Sequence, residues 1–212
     1  KQQTITPSGR GLRITDKPIT AFDPEQIQAL MDQYYWLVFT NNPITETEVE
    51  QYLSQFGSLT QNNRRKGAVL NIDGSKKDEG EVLLGDGYLP PHRDGALMGT
   101  NVLMVGIFCI EYQDVFEGGR TFIIDAESAL KEVPEHYVQL LRERGIEGRP
   151  VDSYYLRSAD QWHSIPGFIE VDGQAFLNIG FPSPPGEKPS WLVRIPDTDT
   201  AVSDELFACL YD

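Results

Sequence analysis

At 212 residues the chain is long enough for one sizeable domain with its own core. Its 40% hydrophobic and 24% charged residues give the balance of an ordinary globular protein. A net charge of −14 repels phosphate backbones and argues against nucleic-acid binding, and no apolar run approaches the length of a membrane span. There is no charged-then-apolar leader with a cleavage site. The chain opens on Lys1 rather than Met, so the natural start is expected further upstream. Two distant cysteines, Cys109 and Cys209, fit a reducing cytoplasm better than a disulfide scaffold, and Cys109, inside an apolar run, is expected to be buried.

In chain order, residues 1–20 are polar and carry Pro7, Gly9, Gly11 and Pro18, which reads as an irregular arm or a short edge strand. Asp23-Pro24-Glu25 starts a helix with an Asp cap, Pro at the first helical position and an acid in the first turn. That helix runs to about Tyr34, and Trp36 to Thr40 reads as a buried strand. Thr45-Glu46-Thr47-Glu48 is a capping box, and its helix stops near Phe56-Gly57. Residues 61–87 are polar and rich in Gly, Lys and Asp, with a loop or hairpin tip at 73–80 that lacks the ligand spacing of a calcium loop.

Val102 to Ile110 reads as a central strand, Gly118-Gly119 as a turn, and Thr121 to Ile124 as the next strand. Helical patterning runs on from Ala126 to Arg144, broken at Pro134. Short strands are expected around 154–156, 167–171 and 175–179, with Asp172-Gly173 as a hairpin turn. A Pro-rich loop spans 181–189, and Ser203 to Leu210 opens another helix. A few helices and then many strands predict a mainly β fold with flanking helices, an antiparallel sandwich or jelly roll.

The segment Pro90-Pro91-His92-Arg93-Asp94-Gly95 carries the chemistry. Residues i and i+2 of an extended chain share a face, so His92 and Asp94 aim at one point. An imidazole and a carboxylate, joined by one more His, make the three-ligand face that holds Fe(II) and leaves positions open. The bland alternative is a surface turn with an ion pair through Arg93.

The downstream chain strengthens the motif. A strand leads to Glu117-Gly118-Gly119-Arg120-Thr121-Phe122-Ile123-Ile124-Asp125, then a short helix, Val133-Pro134-Glu135 and a second helix. This order resembles the taurine dioxygenase-like (TauD/TfdA) family of Fe(II)/2-oxoglutarate oxygenases, most closely over residues 20–145. Within it, the Pro-x-His-x-Asp-Gly and Gly-Gly-Arg-Thr wording looks most like the oxygenases of isonitrile biosynthesis, which act on isocyano derivatives of aromatic amino acids.

The resemblance implies a double-stranded β-helix (jelly roll, cupin-like), formed as a single oxygenase domain over residues 1–212. It implies that His92 and Asp94 are two iron ligands and that Thr121 offers its hydroxyl to a carboxylate of 2-oxoglutarate. Fe(II), 2-oxoglutarate and O2 would then hydroxylate or desaturate a small organic acid or amino-acid derivative in secondary metabolism. The presence of Asp94 argues against halogenation, for which that ligand is a small residue. The family's distal His and its oxoacid-binding Arg stand near the C-terminus. Here His136 and His163 are the remaining histidines, so the third ligand is expected beyond Asp212, in a C-terminal part this sequence lacks, with His163 as the weaker candidate.

For Thr121 the plain alternative is an ordinary strand threonine. The alternatives for the whole chain are a cupin-type metal enzyme that uses no oxoacid and a degenerate jelly-roll binding module. A small molecule is the expected partner, with neither nucleic acid nor membrane; the sequence leaves a homo-oligomer open. The expected location is cytoplasmic.

Overall fold

The computed structural model describes residues 2–6, 9–60, 68–69, 89–102, 104–109, 121–151, 159–184, 186–187, 189, 191–198 and 200–211. The expected loop at 73–80, the Gly118-Gly119 turn and the strand at 154–156 lie outside them. The chain forms two compact units, Lys1–Asn71 and Ile72–Asp212.

In the first unit, β1 (Gln2–Thr4) pairs antiparallel with β2 (Gly11–Ile14), and β2 pairs parallel with β3 (Trp36–Phe39). The crossover between β2 and β3 carries α1 (Pro24–Tyr34), as a parallel pair requires. The Asp23 side chain accepts from the Gln26 amide, and the Gln26 side chain returns the bond to Asp23 N. Helix α2 (Glu46–Leu53) opens on the Thr45–Glu48 capping box and passes through a 3-10 turn, Ser54–Phe56, to Gly57. The core of this unit comprises Leu12, Ile14, Ile27, Val49 and Tyr52. The Tyr52 hydroxyl is not wasted by burial, because it donates to the Phe22 carbonyl at 3.1 Å. Gly11 is obligatory in this sheet: it stands opposite Trp36, and a Cβ there would run into the indole ring.

The second unit holds α3 (Ala126–Ala129), α4 (Glu135–Arg144), β4 (Ile146–Pro150), β5 (His163–Ile165), β6 (Phe168–Val171), β7 (Gln174–Leu177), β8 (Trp191–Arg194) and α5 (Thr200–Tyr211). Strand β4 lies between β5 and β8, antiparallel to both. Strands β6 and β7 form a hairpin whose turn residues, Asp172 and Gly173, have φ of 50° and 80°. Two consecutive positive φ values make the type I′ turn that matches strand twist, as the Asp-Gly pair predicts. Helix α4 gives way to β4 at Gly145, where φ is 66° and an added Cβ would strike the Ile165 carbonyl. Leu141, Ile146, Ile165, Ile179, Phe181, Ile195, Leu206 and Phe207 form the core, and α5 closes it. The loop before α5 is fixed by Ser203 Oγ, which accepts from Ile195 N at 3.1 Å.

Two expectations need correcting. Residues 104–109 and 121–124, read as strands, lie outside any strand; Ile107 is 76% and Phe122 81% exposed. Apolar runs become strands only where ladder partners flank them, and among the described residues none pairs with these. The described residues form a mixture of helices and three small sheets. Cys109, in the same run, is exposed instead of buried.

Candidate metal-ligand pair

The His92 segment is held from behind by the chain just after β7. Arg93 N donates to the Ile179 carbonyl at 2.9 Å and Phe181 N to the Pro91 carbonyl at 3.0 Å, which makes an antiparallel bridge between His92 and Gly180. This short ladder supplies the extended backbone that puts His92 and Asp94 on one side and Arg93 on the other. The chain then turns sharply. Gly95 has φ of 82°, its carbonyl accepts from Met98 N and Thr100 N, and an added Cβ would strike the Thr100 carbonyl. Only glycine fits both demands, which gives the Asp94-Gly95 pair its reason. Leu97, on that turn, reaches back to the backbone of Gly148 and Gly180, where two glycines leave room for it.

His92 Nε2 lies 2.9 Å from Asp94 Oδ1, and His92 Nδ1 lies 2.8 Å from the Pro90 carbonyl. A carbonyl can only accept, so Nδ1 carries a hydrogen and the ring's orientation is fixed. Nε2 faces a carboxylate. The hydrogen bond to Asp94 holds the His92 pKa above the ordinary imidazole value, opposed by burial and aided by the Pro90 carbonyl. The same bond holds Asp94 below the ordinary carboxylate value, against burial, with further help from the charges of His92 and Arg93. Both shifts have the same leading cause, the His92–Asp94 hydrogen bond, which favours the charged form of each group. The side chains are 30% and 48% exposed, so the pair faces solvent and is open to a ligand.

The donor set and its spacing fit a metal ion. Two ligands at right angles with bonds of about 2.1 Å sit about 3.0 Å apart. The observed 2.9 Å is close to that separation. The Nδ1–H bond to a backbone carbonyl is the outer contact that metal-bound imidazoles use to present Nε2. Among the described residues, no third His, Cys, Asp or Glu joins them in a cluster able to hold a metal.

The other sequence candidates fall elsewhere. Thr121 is exposed in the irregular stretch 121–125. His163 begins β5, directly opposite Gly148 in the ladder, and is half-buried. His136 is exposed on α4 with its ring against Tyr137, as the helix pattern implies. Among the described residues Arg93 makes no ion pair of the kind the bland reading expects. Its guanidinium turns inward, donating to Asn178 Oδ1 at 3.2 Å and to the Val102 carbonyl at 3.0 Å. Sequence reasoning missed Asn178; its one signal is a lone amide inside the apolar run Phe176-Leu177-Asn178-Ile179.

Comparison with known proteins points to one family. A crystal structure of the PvcB protein from Pseudomonas aeruginosa matches with a TM-score of 0.59 at 18% sequence identity, over 94% of this chain and 68% of that one. That likeness shows a shared fold. The family model described as taurine catabolism dioxygenase TauD, TfdA family matches residues 3–211, across both units. With that span matched, the chain belongs to the TauD/TfdA family of dioxygenases.

Proposed function

We propose that the protein is an Fe(II)- and 2-oxoglutarate-dependent oxygenase that hydroxylates or desaturates a small organic acid or amino-acid derivative in secondary metabolism. The observation that carries this is the His92–Asp94 pair, with ligand atoms 2.9 Å apart and the imidazole oriented by Pro90. Family membership supports the oxygenase kind. The jelly-roll reading of the fold belongs to the same proposal, supported by the family and by the likeness to the PvcB protein.

His92 and Asp94 would hold the iron, which when bound supplies the oxidising chemistry with O2 and the oxoacid. The chain's own contribution is orientation and a proton. His92 would offer Nε2 and Asp94 a carboxylate oxygen to the metal, and a proton lying between the two would have to leave for both to bind. Gly95 and the bridge to Gly180 keep the two groups on one side, so the pair needs little rearrangement. For the third ligand we propose a histidine C-terminal to Asp212, on the family's motif order alone, with His163 as the weaker candidate. Thr121 is the proposed contact for a 2-oxoglutarate carboxylate, on motif order alone. The isonitrile branch, with an isocyano amino acid as substrate, rests on the Pro-x-His-x-Asp-Gly and Gly-Gly-Arg-Thr wording.

The test is anaerobic addition of Fe(II) and 2-oxoglutarate to the protein, read by visible absorption. The expected result is the charge-transfer band of an oxoacid chelated to iron, lost in Asp94→Ala. A band that survives Asp94→Ala removes the metal assignment. Oxygen uptake that ignores the oxoacid removes the co-substrate.

A further inference from the structure

We propose that Arg93 and Asn178 form a positioning clamp, so that the direction in which His92 and Asp94 point is set from the opposite face of their own segment. The inference rests on the metal-site reading above and adds to it two residues that touch neither metal nor substrate.

The geometry begins with alternation. His92 and Asp94 project to one side of the extended segment, and Arg93 to the other. Any rotation of this segment about its axis swings all three side chains together. Arg93 is therefore a lever on the ligand pair, and it is tied at both ends. Its backbone N donates to the Ile179 carbonyl at 2.9 Å, and its guanidinium donates to Asn178 Oδ1 and to the Val102 carbonyl. Val102 lies beyond the turn at 95–100, so one side chain links the entry and the exit of the loop that carries Asp94.

Asn178 is a fixed anchor. It is 4% exposed, its Nδ2 donates to the Pro166 carbonyl at 2.9 Å, and its backbone N donates to the Gly167 carbonyl at 2.8 Å. These partners also settle the amide's orientation. Only Oδ1 can accept from a guanidinium, and only Nδ2 can donate to a carbonyl. A buried amide with both ends engaged costs nothing in lost hydrogen bonds and holds its angle tightly. An ordinary surface arginine between two ligands would leave the segment free to twist. Outer contacts of this kind commonly control metal affinity by about 10- to 100-fold.

The experiment is Co(II) binding to the full protein, read as affinity and as the coordination-sensitive visible band, alongside thermal unfolding of each variant. Asn178→Leu keeps the branched shape, though with a larger volume, and removes the acceptor; it is expected to lower Co(II) affinity by about 10-fold or more and to change the band. Asn178→Asp restores the acceptor for Arg93 while facing the Pro166 carbonyl with a carboxylate. It should recover the affinity and band yet unfold at a lower temperature. Arg93→Met should reproduce the Asn178→Leu loss, and the double variant should bind no more weakly than the weaker single one, because both remove one contact. If Asn178→Leu does not fold, Arg93→Met carries the comparison. Wild-type affinity and band in a folded Asn178→Leu or Arg93→Met variant overturn the clamp while leaving the metal site intact. A wild-type protein that binds no Co(II) overturns the metal reading, and the clamp with it.

Discussion

Gly180 faces His92 across the bridge, and its missing side chain leaves the space that Leu97 fills. A Cβ at position 180 would lie 2.7 Å from Leu97 Cδ1 and 2.8 Å from Leu97 Cγ. The Cγ distance matters most, because a branch point cannot move aside by a simple rotation of the tip. Leu97 has no easy retreat either: the same side chain lies 3.2 Å from where a Cβ on Gly148 would stand. Gly180→Ala should therefore act as overpacking, at about 1–3 kcal/mol. Its φ is not positive, so the backbone accepts alanine and the unfolded chain loses about 0.4–1 kcal/mol of entropy in its favour. The net expectation is a destabilisation of about 1–2 kcal/mol. The diagnostic is the pair. Leu97→Ala alone removes packing from the partly buried Leu97, but in the double variant the new methyl at position 180 enters the vacated space. The double variant should then be more stable than the sum of the singles by at least about 1 kcal/mol. Urea unfolding of the four proteins measures the cycle. Additivity within about 0.5 kcal/mol would refute the argument that these two positions compete for one volume.

Gly145→Ala forces a side chain into a φ of 66° and against the Ile165 carbonyl, so it should cost at least about 2 kcal/mol in the same assay; a neutral result would mean that α4 and β4 join differently. The His92–Asp94 pair should give a pH signature in the metal-free protein. The raised histidine stabilises the fold fully below its ordinary pKa of 6.5 and less as pH climbs through the raised value. The lowered aspartate stabilises above its ordinary 3.8 and less as pH falls through the lowered value. The pair's contribution is thus greatest between 3.8 and 6.5, and Asp94→Asn should flatten the stability profile across that window; an unchanged profile would show that no proton is shared. The same proton competes with a metal, so Co(II) affinity should weaken as pH falls below the raised histidine value, and affinity independent of pH would exclude Nε2 as a ligand.

The elements that were legible in the sequence are those whose determinants are local. Asp23 and Thr45 start helices through side chains that reach amides three residues on; the Asp23 cap and the Thr45–Glu48 capping box form as read, and Gln26 adds a return bond to Asp23 that was not read. Pro134 divides the helical stretch into α3 and α4, and Asp172-Gly173 sets its hairpin turn. The missed strands depend on partners far away. Strand β4, Ile146 to Pro150, contains a glycine and ends in proline, both poor strand residues, and exists because β5 and β8 flank it. Conversely Thr121 to Ile124 has every local mark of a strand and is not one among the described residues. Propensity ranks what a segment tolerates; pairing decides what it becomes.

The site divides along the same line. His92 and Asp94 could be placed together from sequence because two residues of spacing on an extended chain leave little freedom, and the structure brings them to 2.9 Å. Thr121 could be nominated only by its place in a motif order, a relation that says nothing about distance. Arg93 shows the sharper lesson. Between a histidine and an aspartate, an arginine reads as the natural ion-pair partner of the carboxylate, yet the histidine takes that role and frees the guanidinium for Asn178, 85 positions away. Had Arg93 paired with Asp94 instead, the carboxylate would have been drawn off the histidine's face. With the arginine turned inward, His92 and Asp94 are left facing each other on one side, and its anchor at Asn178 is the part of this arrangement that the local sequence could not announce.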